Sequence, residues 1–595
     1  MSANVGTIED VPLTGDLGKH PKGLYVLFAT EMWERFSFYS MLSLFVLYLR
    51  ATPEEGGFGW TAAEATGLYA NYLMFVYLSP LVGGFLADKF LGYRKAVMIG
   101  GFFFMAGHGL LSISALWAVY LALTCLVIGN GFFKPNVSTM VGNLYPEGSH
   151  LKDRAYNIFY LGINVGAFLA PIVMEIVKAN VGVHAAFAVA AFGMVISVSI
   201  LWYFKSLVMS ADRKMIVSDP EQEADTAATA TDAPPHGVSD QGTGHKGASG
   251  DASRSALMDT IPNSKRVMAL IVIFIIVIVF WMVFHQNGST LTYFADDNTD
   301  WTVSGTIANA INAFWIIVLT FPLVWLWGFL DRRGKEPSTP TKMAMGMTLT
   351  GLSFLVLWFG ASMGEKAVKT PDQLASGEFR INERVLTNLS AAGLSKDAMD
   401  KIQKTQTTSK GSLVTECPKD ETCKNSVFGV KFGALSDEAI TQRDKDNVKK
   451  GLPPLTPEEK TRLKSGPEQL IYAVNQTSPG VGSAHREAIL QNAHLFRVSP
   501  FWLIFAYFVV TLGELMLSPM GLSLVSKVAP IGIRGLMMGG WFVATAIGNK
   551  LTMIGIYWDI WLQSSFFLVL ACMALFMAVV LTILLKPLKK AMPGV

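Results

Sequence analysis

Three charged residues, Glu31, Glu34 and Arg35, stand in the run "ATEMWERFSFYSML" (29–42), inside a stretch that otherwise reads as one apolar helix. At about 100° per residue, Glu31, Glu34, Arg35, Phe38 and Tyr39 share a helix face of roughly 140°. Glu31 and Arg35 are four apart and can pair directly, with Glu34 beside them. In a membrane helix such a mixed-sign cluster is costly. It either neutralises itself and locks the helix to a neighbour, or it faces a cavity and binds a charged solute or relays protons. Two further charges, Lys134 and Glu514, also fall inside apolar segments.

The elements that carry these residues follow from composition. The chain has 595 residues, of which 51% are hydrophobic and only 16% charged, with a mean hydropathy of +0.39. That is too oily for a string of soluble domains. Apolar runs of about 20 residues, enough to cross a roughly 30 Å hydrocarbon core, recur about twelve times from the helix of Glu31 to a last run near 562–585. The reading is an all-α polytopic membrane protein in the lipid bilayer. The net charge of +3 is small, and no basic stripe with interleaved aromatics indicates nucleic acid as a partner. The N-terminus lacks the apolar core of a cleavable signal peptide.

Lys89, Arg94, Lys95, Lys152, Arg154, Arg332, Arg333 and Lys335 occupy one set of short loops, and Glu54, Glu55, Asp296, Asp297 and Asp300 the other. By the positive-inside rule the basic loops and both termini face the cytoplasm, and the protein sits in the cell membrane. Residues 210–262, rich in Ala, Thr, Asp, Gly and Pro, read as a disordered cytoplasmic linker. The expected organisation is 1–209 as an N-terminal six-helix bundle, 263–364 as helices seven to nine, 365–496 as an external insertion, and 497–595 as helices ten to twelve. The insertion contains helix-like stretches such as "SKDAMDKIQK" and lacks a nucleophile elbow, a zinc-protease motif and a phosphate loop, so no catalytic residue is assigned. Two of the four cysteines, Cys417 and Cys423, lie in it. A disulfide in an oxidising compartment is one reading and two free thiols the other; no flanking ligands argue for a metal. The partner of the insertion is not legible.

"GGFLADKFLGYRK" (83–95) and "GFLDRRGK" (328–335) close corresponding helices in the two halves. Such parallel repeats mark a transporter of two six-helix bundles with its solute site between them. The turn resembles the signature loop of the major facilitator superfamily, in which Asp88, Arg94 and Lys95 would latch the cytoplasmic side.

"EMWERFSFY" is similar to the ExxERFxYY motif of proton-coupled oligopeptide transporters, the POT or PTR family, with Phe38 in place of the first Tyr. "GNGFFKPNVSTMVGNLY" (129–145), "FYLGINVGAF" (159–168) and "GELMLSPMGLS" (513–523) resemble further segments of that family. The resemblance implies a proton-driven symporter with no cofactor, protons as the coupling ion, and Glu31, Glu34 and Arg35 as coupling residues. A zwitterionic peptide needs an anion for its amine and cations for its carboxylate. Glu514 suits the first, and Arg35 and Lys134 the second. Asn164 and Asn312 would bond peptide amides, while Tyr39, Tyr77 and Trp541 either wall the site or pack between helices. Lys134 and Glu514 would also pair with each other. The sequence departs from the family at His285, where many relatives carry an acid, and at Leu42, where bacterial relatives often carry the Arg that pairs with it. His285 either packs or carries a proton. The reading is an importer of di- and tripeptides working by alternating access. Alternatives are a symporter of another small anion or zwitterion such as nitrate or a modified amino acid, and a receptor or assembly subunit with a vestigial transport core.

Overall fold

The computed structural model describes residues 19–592 except 53–54, 146–150, 213–260, 409–411, 419–422, 450, 452 and 531–532. The expected linker therefore lies almost wholly outside the described residues. The N-terminal half comprises α1 (Lys22–Arg50), α2 (Ala62–Leu86), α3 (Tyr93–Leu111), α4 (Leu116–Asn143), α5 (Leu151–Asn180) and α6 (Val183–Tyr203). The C-terminal half comprises α7 (Asn263–Phe284), α8 (Ala308–Asp331), α9 (Thr339–Lys366), α10 (Pro500–Val528), α11 (Arg534–Leu551) and α12 (Gln563–Ala591). Among the described residues, nine helical segments are long and apolar enough to cross a membrane. α1 is not one of them, because its charges offset its apolar length. Exposed rings such as Phe102, Phe192, Phe321 and Phe576 face outward. That would be a liability in water and costs nothing in lipid.

Packing separates the halves. α1 lies against α5 and α6, and α4 against α2 and α3; in the second half α9 lies against α10 and α12, and α7 against α11. The halves meet along α2 with α11 and α5 with α8. In lipid, helices associate through close backbone contact rather than through hydrophobicity, so small residues mark the tight crossings. A Cβ placed on Gly83 of α2 would stand 2.0 Å from the carbonyl oxygen of Gly131 on α4, and one on Gly513 of α10 would stand 2.7 Å from that of Gly346 on α9. These crossings fix the heights of Lys134, one turn beyond Gly131, and of Glu514, next to Gly513.

α7 stops at Phe284, and a tighter turn, His285–Gly288, leads into the short helix Thr290–Asp297. The interrupted ladder is repaired by Gln286. Its amide donates to the carbonyls of Met282 and Thr552 at 3.2 Å each, and its oxygen accepts the Thr290 hydroxyl at 2.8 Å. Broken backbone at membrane depth needs such replacement partners.

Residues 367–499, between α9 and α10, have their own core around Phe379, Ile381, Leu389, Ile402, Leu470 and Ile489. Cys417 and Cys423 are joined by a disulfide. Beside its short helices the insertion holds strands the sequence reading did not anticipate: Phe379–Arg380 pairs antiparallel with Lys431–Phe432, and Gln406–Thr408 lies between Leu413–Val414 and Cys423–Asn425. Two or three residues are too few for an alternating pattern to register.

The close crossing of α2 and α4 is testable. Gly83→Ala drives a methyl into backbone and should lower the thermal unfolding midpoint in detergent by several degrees, an overpacking cost of about 1–3 kcal/mol. Gly67→Ala on the same helix meets nothing within 4 Å and should leave the midpoint unchanged or higher, since alanine favours a helix interior by about 1 kcal/mol at most. Equal midpoints for the two variants would remove the close-packing argument.

Candidate functional site

Glu31, Glu34 and Arg35 are all buried on α1. The guanidinium of Arg35 grips Glu34 through two donors, with Nη2 to Oε1 at 2.6 Å, and its Nε lies 3.2 Å from Glu31 Oε1. Two carboxylates thus share one cation, and Glu31 Oε2 is buried without a hydrogen-bond partner. One added proton makes the triad neutral. Arg35 also lies over the Phe38 ring at 4.9 Å, and that ring meets Tyr39 edge-on.

Lys134 and Glu514 do not pair with each other among the described residues. The Lys134 ammonium sits 4.9 Å above the ring of Tyr77. Glu514 is buried and accepts a hydrogen bond of 3.1 Å from Asn312, whose amide also reaches Thr511 at 3.0 Å. The direct contact of the ammonium is thus a ring face, and that of the carboxyl an amide dipole. The interhelical ion pair expected as one possibility is not made in this conformation.

His285 stacks on Trp281 at 5.1 Å and meets Tyr77 edge-on at 5.8 Å, with its Nε2 buried and unbonded. Tyr77 therefore carries the ammonium of Lys134 on its face and touches the imidazole, joining α4 to the break after α7. Asn164 is buried and donates to the Tyr160 carbonyl of its own helix at 2.9 Å, so its amide serves local structure here. Trp541 is buried against Phe274 and Gly521, where a Cβ would fall 1.8 Å from its ring. Of its two readings, packing between α7, α10 and α11 is the one realised in this conformation.

Of the loop residues, Arg94 pairs with Asp212, which accepts its backbone N–H at 3.0 Å and its Nε at 3.3 Å. The turn at 88–95 is thereby tied to the segment after α6, and Asp88 is not the partner of Arg94. At the other end, where the insertion lies, polar contacts join the halves. Arg50 Nη1 reaches Asp297 Oδ2 at 3.5 Å, the backbone N–H of Ala62 donates to Asp559 at 3.3 Å, and Lys550 donates to Asn71. Glu175 of α5 accepts the Ser304 N–H at 2.9 Å. The sequence reading takes Asp297 only as a loop charge and assigns Arg50 no role. No spacing rule connects residues so far apart.

A family model described as the POT family matches residues 94–426. A di-/tripeptide transporter of Lactococcus lactis subsp. lactis (strain IL1403) is 27% identical over 583 residues, covering 97% of each chain. An uncharacterized transporter of Bacillus subtilis (strain 168) is 30% identical over 397 residues, 62% of this chain and 79% of that one. A crystal structure of a POT peptide transporter in complex with sulfate superposes with a TM-score of 0.65 at 24% identity, covering 98% of both chains. That likeness gives this chain the major facilitator fold.

The α1 triad predicts separable effects. Glu31→Gln and Glu34→Gln each remove one site for the neutralising proton, and should abolish accumulation driven by a proton gradient. Exchange of labelled for unlabelled solute at equal pH should persist within about tenfold, a loss of no more than about 1.4 kcal/mol. Accumulation at the wild-type level in both variants would exclude the triad from coupling.

Proposed function

The chain belongs to the POT family, and from that premise we propose that it is a proton-coupled symporter that imports di- and tripeptides by alternating access. One observation carries this reading. Among the described residues Lys134 and Glu514, opposite charges at membrane depth, form no ion pair with each other: Lys134 lies over the Tyr77 ring, and Glu514 accepts from the Asn312 amide. Buried charges left this incompletely matched favour a ligand that brings both complements, and a zwitterionic peptide does so. Glu514 takes the amine. Lys134 takes the carboxylate, joined by Arg35 when a proton on Glu31 or Glu34 loosens its present pairing. Asn312, which already orients Glu514, bonds the peptide backbone, and Tyr39 and Tyr77 supply apolar wall with polar tips. His285 either packs in its cage of Trp281 and Tyr77 or carries a proton at the break in the seventh helix. The insertion and the loops of Glu55 and Asp297 face outward, and both termini lie in the cytoplasm.

The named relatives support peptide as the solute class, since the Lactococcus protein is a di-/tripeptide transporter. A POT family transporter of the same fold, with a TM-score of 0.63 and 20% identity, is solved with 5-aminolevulinic acid. It too is a small solute with an amine at one end and a carboxylate at the other, and it keeps a non-peptide zwitterion as the second reading.

Blocked peptides test the charge clamp. An N-acetylated dipeptide and a dipeptide amide should each compete for labelled dipeptide uptake at least about tenfold more weakly than the parent, a difference of about 1.4 kcal/mol. Glu514→Gln should shrink the penalty for the acetylated ligand, and Lys134→Ala that for the amide. Equal competition by free and blocked peptides in wild type would transfer the assignment to a non-peptide solute.

A further inference from the structure

Asp297, at the end of the short helix after α7, and Asp559, in the turn Thr552–Asp559 before α12, both belong to the C-terminal half. Each faces two ways. The Asp297 carboxylate lies against Arg50 of α1, and it also accepts a hydrogen bond from Arg380 of the insertion, with Lys431 Nζ 3.7 Å from its other oxygen. Asp559 receives the first N–H of α2 on one oxygen, while its other oxygen accepts the amide of Asn382 in the insertion at 3.4 Å. Two carboxylates are therefore each shared between the N-terminal half and the insertion.

The insertion is shaped for this. Arg380 and Lys431 stand directly opposite one another across its two-stranded sheet. Like charges at facing positions repel, so the pair is comfortable only when an anion lies between its ends. Asp297 is that anion, and Glu378, 3.0 Å from Lys431 and 2.7 Å from Arg497, flanks it. Burial works to lower the Lys431 ammonium, yet Asp296, Asp297 and Glu378 together hold it above its ordinary range. The insertion also leans on the N-terminal half directly, for a Cβ at Gly429 would lie 4.0 Å from the Thr61 methyl.

We propose that the insertion is a clasp for this end of the transporter: the facing cations Arg380 and Lys431 receive Asp297, and Asn382 receives Asp559. While docked, the insertion shields from water the two carboxylates that hold Arg50 and the start of α2. Water admitted by its release screens the Arg50 contact and favours separation of the halves. The clasp thus biases the transporter toward the state closed at the insertion end. It acts outside the solute site and rests on the alternating-access reading, though not on which solute is carried.

The test is a spin-label distance measurement on the full chain in lipid nanodiscs. Labels go on Val181→Cys and Leu562→Cys, exposed positions of the two halves at the insertion end, with Cys125 and Cys572 replaced by Ala. R380Q and K431Q should each raise the long-distance, opened fraction at least threefold, and R50Q, which breaks the direct contact, calibrates that response. The Lys431 side chain is partly exposed, so K431Q reports even where R380Q folds poorly. Parent-like distances in K431Q and in every folded R380Q sample, alongside an opened R50Q, would overturn the clasp. Because distances read helix separation directly, a failed uptake assay with an intact distance response would count against the transport assignment alone.

Discussion

A charge taken into the interior of a membrane bundle must be met by an opposite charge, an oriented dipole or a bound solute, because leaving it bare costs several kcal/mol. The described core of this chain satisfies that demand unevenly. Arg35 is over-supplied, with two carboxylates on one guanidinium. Lys134 and Glu514 are under-supplied, held by a ring face and an amide. The glycine crossings serve the same demand by fixing the backbones, so that Lys134 and Glu514 are held at set heights. In the function proposed here, a solute with two charged ends would complete what the protein leaves incomplete. On the same proposal, a proton on the helix-one triad would weaken the hold on Arg35 and let it contribute to that completion.

Closure at the insertion end uses a different balance. Its contacts are polar: Arg50 with Asp297, Lys550 with Asn71, Glu175 with Ser304, and Asp559 with the start of α2. Contacts of this type trade readily for water when the halves part, and each contributes little net free energy when it is wet. In the proposed cycle, the polar contacts of such a gate would part at little net cost. Its weakness is the same property, since water that reaches the contacts before opening erodes them. In the clasp proposed above, a domain docked on the two shared carboxylates would answer that weakness.

Much of this was legible in the residues. The apolar runs, the cluster in "EMWERFSFY" and the paired turns at 83–95 and 328–335 carry membrane class, repeat architecture and family. The pairing of Glu31 with Arg35 follows from their spacing on a helix. What escaped was set by contacts between distant segments. The partner of Arg94 proved to be Asp212, and Arg50 found Asp297; no local pattern connects either pair. Trp541 reads equally well as wall or packing until Gly521, which admits its ring against the backbone of α10, is placed beside it. The strands of the insertion are too short to leave a period.

The two departures at Leu42 and His285 acquire a common sense from this arrangement. By resemblance, bacterial relatives often carry an Arg and an acid at these positions, and the two pair with each other. Here Leu42 is buried among apolar neighbours, His285 is caged by Trp281 and Tyr77, and the ionic contact between the halves stands at Arg50 and Asp297. Arg50 is fifteen residues beyond Arg35 on one continuous helix, about 22 Å at 1.5 Å per residue, a separation at which two unit charges interact by less than about 1 kcal/mol at an effective dielectric constant of roughly 20. Protonation of the triad would therefore act only weakly on the Arg50 contact through electrostatics. Coupling of the kind proposed here would act mainly by moving α1 as a rigid rod, or through a solute that draws α4 and α10 together. With the gate contacts this far from the proposed coupling charges, stabilisation of that end would have to be local, and that is where the chain places an additional folded core.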